Sequence, residues 1–371
     1  MAQAIRLAWR GLYTSHPNPR VGCVLVKDGA VVGEGWHQIA GQGHAEVNAL
    51  RQAGDAARGA TAYVSLEPCS HFGKTPPCAD GLIQAGVTRV VSAMEDPNPQ
   101  VAGSGHQKLI AAGIAVSCGV LEAEAAAVNP GFIKRMKSGV PWVWMKSAMS
   151  ADGRTAMANG ESQWITGPEA RLDVQRLRAR AEAIVMGVDT VLRDDPSYTV
   201  RPESWQESDA LLHQWPEGFS PIQPLRVVLD SQLRMAPTAR MLSLPGTTWV
   251  VCSQQDSTRQ AALEAAGATV LCLPGNDGRV DLRALLRHLG QAQVNEVLVE
   301  SGAVTSGAFV SQGLVDEWWL YMAPALLGSA ARPLLELPMH TMAEKRLLNL
   351  KEVRQIGADI RMRYQFRTES A

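Results

Sequence analysis

The sequence predicts two successive α/β domains, and three features predict them. The chain has 371 residues, more than one compact domain usually holds, so each half is long enough to bury its own core. Short β-rich runs alternate with helix-period segments as far as Val120. The same alternation restarts at Trp142, just after Pro141. The expected division is therefore residues 1–141 and residues 142–371.

In the first part, VGCVLV (Val21 to Val26) and Ala30 to Val32 flank Lys27-Asp28-Gly29, a turn signal that predicts a hairpin. A helix should start at His44, with Val47, Leu50 and Ala53 on its apolar face and Gly54 as its stop. The strand ATAYVSLEP follows, then a polar loop, a helix over Cys78 to Gln84, and the strands VTRVVSAM and GIAVSCGV. In the second part the strand WVWMKSAM leads through Ala151-Asp152-Gly153 to the helix PEARLDVQRLRARA. Strands AIVMGV, LRVVLD, TTWVVCS, ATVLCL and NEVLVE come after it, with helices between. Pro202 to Pro224, rich in Trp, Pro, Glu and Ser without periodicity, reads as a surface excursion.

Lys plus Arg number 35 against 36 Asp plus Glu, so no global field would hold a nucleic-acid backbone or an anionic membrane. A small diffusing substrate fits this balance better. The N-terminus has helical spacing but no secretory apolar core, and no window reaches the length of a membrane span. A cytoplasmic protein is expected, with neither nucleic acid nor membrane as partner and a second copy of itself in a homo-oligomer. The six cysteines lack the density of a disulfide scaffold and should be reduced, most of them as small buried residues.

The strongest chemical signal is His44-Ala45-Glu46 at a helix start, Pro68-Cys69 after a strand, and Cys78 at the next helix start. One imidazole and two thiolates are three ligands for tetrahedral zinc, with the fourth position left for water. Helix N-termini lower thiol pKa values and favour such binding. Zinc brings the pKa of its water towards ~7, and Glu46 is placed as the general acid/base that carries protons from that water to a ring nitrogen and to leaving ammonia. This is the chemistry of zinc deaminases, whose signature is H-x-E with P-C-x-x-C; here eight residues separate Cys69 from Cys78. Taken singly, a His-x-Glu is an ordinary helix start and a cysteine after a strand is ordinary core.

The stretches HPNPRVGCVLV, GWHQIAGQGHAEVNAL and YVSLEPCSHFGKTPPCADGLIQAGV resemble the bifunctional deaminase-reductase family of riboflavin biosynthesis, whose insert between the two cysteines SHFGKTPP matches. The resemblance continues through AMEDPNPQVAGSG, GESQWITG, DTVLRDDPSYTVR and VLVESGAVTSGAF to MAPALLG, nearly the whole chain. It implies a cytidine-deaminase-like α/β/α domain followed by a dihydrofolate-reductase-like α/β domain. It further implies hydrolysis of the 2-amino group of a phosphoribosylated diaminopyrimidinone with zinc, then NADPH-dependent reduction of the ribosyl chain to ribityl. Asn18, His71, Lys74, Asp96 and Asn98, polar residues around the zinc motif, are candidate contacts to ring, sugar and phosphate.

The second half has no GxGxxG after a strand, and Gly103-Ser104-Gly105 in the first half reads as a turn. The cofactor candidate is the small-residue run Gly302, Ala303, Val304, Thr305, Ser306, Gly307 and Ala308 after strand NEVLVE, where backbone N–H groups can approach a pyrophosphate. By resemblance, Ala148, Trp164, Thr190, Asp194 and Ser231 also face NADPH, and Lys146, Ser162, Arg178, Tyr198, Arg201 and Glu300 face the substrate. Tyr198 stands where the family usually has leucine, and Ser301-Gly302-Ala303-Val304 replaces a run richer in Gly and Pro. As a large apolar residue, Trp164 also suits a core position. Lys146, Asp194 and Glu300 are the titratable candidates for steadying a ring-opened ribosylamine during hydride transfer.

Two rival readings share part of this pattern. A zinc-dependent nucleic-acid cytidine or adenosine deaminase with an accessory domain would need a basic groove and stacking aromatics, which the balanced charge disfavours. A structural zinc site would normally close with four protein ligands, and no fourth is evident.

Overall fold

The computed structural model describes residues 1–71, 76–99, 101–201 and 222–366. Lys74 and the 202–221 part of the expected surface excursion lie outside the described residues. Contacts group the chain into one compact unit over Met1–Val140 and another that begins at Pro141.

The first unit opens with helix α1 (Ala2–Trp9), the hairpin β1 (Gly22–Lys27) and β2 (Ala30–Trp36), and helix α2 (Ala45–Ala53). Asp28 and Gly29 at the hairpin tip take φ values of 50° and 77°, the left-handed pair that a two-residue hairpin turn requires. Next come β3 (Thr61–Val64), α3 (Cys78–Gln84), β4 (Arg89–Ser92), α4 (Ser104–Ala111), β5 (Ala115–Cys118), α5 (Glu122–Val128) and α6 (Pro130–Ser138). The strands form one sheet in the order β2-β1-β3-β4-β5, antiparallel across β1 and parallel from β3 to β5. Cys23, Leu25, Ala62, Val64, Leu82 and Val90 lie in its core.

The buried stripe of α2 is Ala45, Ala49 and Ala53 with Glu46, while Val47 and Leu50 are half-buried. Leu50 and Ala53 of the expected face pack on the core, and Ala45 and Ala49 take the closest contact with β2. A Cβ on Gly33 of β2 would lie 2.4 Å from the Ala49 carbonyl oxygen, and one on Gly35 2.3 Å from that of Ala45. Backbone meets backbone there, and larger side chains are displaced to the flanks. The Gly103-Ser104-Gly105 run is also not an isolated turn: Gly103, at φ 75°, caps the start of α4.

The second unit runs β6 (Trp142–Ser150), β7 (Arg154–Ala156), α7 (Pro168–Arg180), β8 (Ala183–Gly187), α8 (Val188–Asp194), β9 (Leu225–Leu229), β10 (Thr248–Cys252), α9 (Ser257–Ala265) and β11 (Thr269–Cys272). It continues with α10 (Leu282–Gln291), β12 (Glu296–Val299), α11 (Ala303–Ser311), β13 (Glu317–Ala323), β14 (Arg332–Pro333) and the long hairpin β15 (Leu348–Ile356) and β16 (Asp359–Phe366). Nine strands form a sheet ordered β11-β10-β9-β8-β12-β6-β13-β16-β15. It is parallel from β11 to β13 and antiparallel beyond. All four residues of β12 and the first four of β8 are buried, as parallel strands covered on both faces must be. Trp144, Ile184, Val228, Val250 and Leu298 join the core on one side of this sheet. Strand β13 and the β15–β16 hairpin add to the strands expected from sequence. Among the described residues no helix is long and apolar enough to cross a membrane.

Candidate active sites

The first cluster is assembled from loop and helix ends at one side of the smaller sheet. His44 caps α2 and Cys78 opens α3, while Cys69 lies in the loop after β3. The His44 Nδ1 faces the Cys78 Sγ at 3.2 Å and the Cys69 Sγ at 3.6 Å. All three ligand atoms lie within 4.8 Å of one another. Tetrahedral zinc with metal–ligand bonds of about 2.0–2.3 Å sets its ligand atoms roughly 3.5 Å apart, so these residues fit that ion.

The two sulfurs are linked by a hydrogen bond whose proton a metal ion would displace. A hydrogen bond from the Cys78 thiol, aided by His44 and the Cys78 N–H and opposed by burial, holds Cys69 down at about 4. The same bond and burial push Cys78 up. Only Cys78 stands at a helix start; Cys69 feels that helix through the Cys78 N–H, which donates to its Sγ at 3.3 Å. Glu46, in the first turn of α2 and 3% exposed, comes within hydrogen-bond reach of Cys78. Burial, reinforced by the Cys69 charge, pushes its carboxyl up to about 7.

Around this cluster the Asn18 amide nitrogen meets His37 Nε2 at 3.1 Å, and the His37 ring stands edge-on to His44 with centroids 5.2 Å apart. Burial pushes His37 down to about 4, so it is neutral and works as a polar wall. Asp96 feels the charges of both Cys69 and His71, and burial with Glu67 nearby brings it up to about 6. The Asp96 carboxylate accepts the Asn98 N–H at 2.9 Å, and His71 is exposed.

Two residues here escaped sequence reading. His37 carried no spacing signal, and Glu67 gave none beyond its place before Pro68-Cys69. Glu67 is 3% exposed and accepts four backbone N–H groups: Asp96 at 3.1 Å, Gly103 at 2.9 Å, Gly105 at 2.8 Å and His106 at 3.2 Å.

In the second unit the pairing of Val299 with Met145 between β12 and β6 brings Glu300 beside Lys146. The Glu300 carboxylate accepts two hydrogen bonds from Arg178, both 2.9 Å, and lies 3.5 Å from the Lys146 Nζ. Burial would raise Glu300, but the charges of Arg178 and Lys146 outweigh it and hold the carboxyl at about 2. Tyr198 donates from its hydroxyl to the Glu300 carbonyl at 3.2 Å and packs its ring 4.8 Å from the Arg178 guanidinium. Gln175, another residue not singled out from sequence, accepts from Arg178 at 3.2 Å and Arg201 at 3.1 Å when its amide is oriented oxygen-first.

Other candidates spread along the edges of this cluster. Ser162 and Asp194 line a cavity of about 520 Å³ with Gly160 and Arg193. Trp164 is 70% exposed, which excludes the core position, and its ring stacks 4.6 Å from Arg171. Ala148 packs against the core from β6, Thr190 is half-buried on α8, and Ser231 is half-buried directly beyond Asp230. Gly302 caps α11, and a Cβ there would meet nothing within 4 Å. The open space faces first-turn N–H groups of Ala303, Val304 and Thr305, which fits a pyrophosphate. Ser306 is buried, and a Cβ on Gly307 would lie 2.0 Å from the Glu336 carbonyl oxygen. That pair and Ala308 form the second turn of α11, and the open end of the run is Gly302 to Thr305.

Residues 141–362 match the family model of the RibD C-terminal domain, and residues 1–94 match the cytidine and deoxycytidylate deaminase zinc-binding region. The riboflavin biosynthesis protein RibD of Escherichia coli is 51% identical over 97% of this chain and 96% of its own length. The chain belongs to the RibD family. A solved Acinetobacter baumannii RibD structure has a TM-score of 0.89 at 46% identity, covering 99% of this chain and 97% of that one. A Thermotoga maritima structure described as a diaminohydroxyphosphoribosylaminopyrimidine deaminase/5-amino-6-(5-phosphoribosylamino)uracil reductase has a TM-score of 0.83 at 29% identity, covering 99% and 97%.

This RibD-family chain is accordingly a bifunctional deaminase and reductase of riboflavin biosynthesis, with a cytidine-deaminase-like fold followed by a dihydrofolate-reductase-like one. Zinc is the cofactor of the first part and NADPH of the second.

Proposed function

We propose that residues 1–141 hydrolyse the 2-amino group of 2,5-diamino-6-(5-phosphoribosylamino)pyrimidin-4-one and that residues 142–371 reduce the ribosyl chain of the product to ribityl. The observation that carries the deaminase assignment is the His44, Cys69 and Cys78 cluster with the buried carboxyl of Glu46 beside it. Bound zinc supplies an activated water at neutral pH. Glu46, brought up to about 7, carries the two protons of the attacking water in turn, the first to the ring nitrogen and the second to the departing amine. Asn18, held by His37, and the Asp96–Asn98 turn orient the ring and sugar, with His71 and Lys74 assigned to the phosphate.

In the reductase, NADPH supplies the hydride. Glu300 stays ionised and keeps Lys146 and Arg178 in place for the substrate, with Ser162, Tyr198 and Arg201 as further contacts. Gly302 to Thr305, with Ala148, Trp164, Thr190, Asp194 and Ser231, hold the dinucleotide, and Ser306, Gly307 and Ala308 form the packed turn behind them. The protein is assigned to the cytoplasm as a homo-oligomer whose partner is this small phosphoribosylated pyrimidine and not nucleic acid; the balance of 35 basic and 36 acidic residues supports that choice.

One assay tests both halves. The purified protein is incubated with the diaminopyrimidine ribotide, with and without NADPH. Ammonia should appear in both cases, and NADPH should be consumed only in step with deaminated product. Ammonia from a cytosine-containing oligonucleotide but not from the ribotide would favour the nucleic-acid deaminase instead.

A further inference from the structure

Every residue flanking Cys69 is tied to the start of α4. Glu67, two positions before it, accepts the N–H groups of Gly103, Gly105 and His106. Pro68 touches the same turn through its carbonyl: a Cβ on Gly105 would lie 1.9 Å from that oxygen, so only glycine permits the approach. Ser70, one position after Cys69, places its hydroxyl 2.6 Å from that of Ser104. His106 in turn is anchored to β4 by the buried contact of its Nε2 with the Ser92 hydroxyl at 2.7 Å.

The fourth N–H that Glu67 accepts is that of Asp96, which begins the turn expected to meet the substrate. No cationic side chain pairs with Glu67 among the described residues. Its charge is met by oriented backbone donors at a helix start, which is favourable there. With no ion-pair partner the carboxylate supplies no attraction between charged side chains, though an apolar residue in its place would leave four buried N–H groups unpaired. What it does supply is direction: two oxygens with four fixed donors define the position of three chain segments at once.

We propose that Glu67 is a positioning residue of the deaminase, whose carboxylate joins the Cys69 loop, the Asp96 turn and the start of α4 into one piece and so sets where the substrate turn stands relative to the metal ligands. The proposal rests on the deaminase reading of the cluster. Outer partners of metal ligands typically change metal affinity or activity 10–100-fold when altered.

The test uses the full-length, zinc-loaded enzyme. Glu67→Gln keeps the volume but turns one acceptor into a donor that faces backbone N–H groups. It should retain one zinc per chain and keep NADPH oxidation on deaminated substrate within about twofold. Zinc release to a chelator should speed up at least about tenfold, and deaminase kcat/KM should fall about 10–100-fold with KM rising as well as kcat falling. Glu67→Asp, which keeps the carboxylate, should recover part of the zinc retention. Ser104→Ala removes the Ser70 link together with the Ser104 bond to the Val101 carbonyl and leaves Glu67 in place; it should speed zinc release a few-fold in a fully folded protein, so the idea stays testable if Glu67→Gln does not fold.

Zinc release is read without substrate, so it fails or holds independently of what the enzyme deaminates. Wild-type zinc release in a folded Glu67→Gln protein, or in Ser104→Ala where Glu67→Gln does not fold, would overturn the proposal. So would a Glu67→Gln protein whose deaminase loss tracks only its loss of folded material, with KM unchanged.

Discussion

Glu46 and Glu300 are both glutamates buried at a candidate site, yet their surroundings drive them apart. Glu46 faces the anionic Cys69 sulfur, so burial and charge act together and bring it up to about 7. Glu300 meets the same opposition from burial, but a bidentate Arg178 and a nearby Lys146 outweigh it and hold it at about 2. The difference separates two uses of one side chain. A carboxyl poised near neutrality can exchange protons during a reaction, whereas one held so low is a permanent anion that fixes two cations.

The largest effect expected from this contrast is in Glu46→Gln, which preserves shape and removes the proton carrier. Deamination should fall by ~10²–10⁴-fold, with zinc content unchanged and NADPH oxidation intact on deaminated ribosylaminouracil phosphate. Loss of zinc would make Glu46 a ligand, and unimpaired ammonia release would remove it from the reaction.

Arg178→Ala attacks the other side of the comparison. It strips Glu300 of its two 2.9 Å hydrogen bonds and leaves a buried carboxylate with Lys146 alone. Breaking a buried pair in this way costs about 3–5 kcal/mol, to be read from urea unfolding followed by a probe in the second unit. A cost under about 1 kcal/mol would show that the pair is solvated and that the contrast with Glu46 is overstated.

Acid titration of stability sharpens the same point. Because Glu300 is held at about 2, below its ordinary 4.5, its contribution is fully present above pH 4.5 and is shed as the pH falls through about 2. The amount is roughly 3 kcal/mol. Replacing Glu300 by Gln should flatten that limb of the second unit's stability curve. A curve with the same slope in the variant would assign the acid sensitivity to other groups.

The smallest structural effect belongs to Trp164→Ala. With 70% of the residue exposed, its loss should change stability by no more than about 0.5 kcal/mol, while the KM for NADPH rises. A marked fall in thermal stability with unchanged KM would mean that the ring serves packing with Arg171 and not the cofactor.

The two sites differ as much in how they could be read as in what they do. His44, Cys69 and Cys78 are uncommon residue types within a short stretch, and no bland arrangement calls for all three at element boundaries. Lys146, Arg178 and Glu300 are ordinary charged residues separated by more than a hundred positions between first and last; only resemblance to a family singled them out. His37 and Glu67 were invisible because their importance lies in what the fold sets beside them. Strand β13 was passed over although its run EWWLYMA is apolar enough to be read as a buried strand. The apolar face of α2 holds the expected Leu50 and Ala53 but extends to Ala45 and Ala49, which Gly33 and Gly35 select and which a periodicity that weighs large side chains does not register.

By itself the sequence determined the local chemistry: the alternation of strand and helix, the hairpin turn at Asp28-Gly29, and a donor set of one imidazole and two thiols suited to zinc. Those depend on residue type and short spacing, which a linear chain displays directly. Tertiary structure alone decided that Glu46 is brought up and Glu300 held down, that Gln175 bridges Arg178 and Arg201, and that Glu67 gathers three segments on one carboxylate. Burial and the nearest charges set a carboxyl's proton affinity, and both come from residues that only strand register and close helix packing bring into contact.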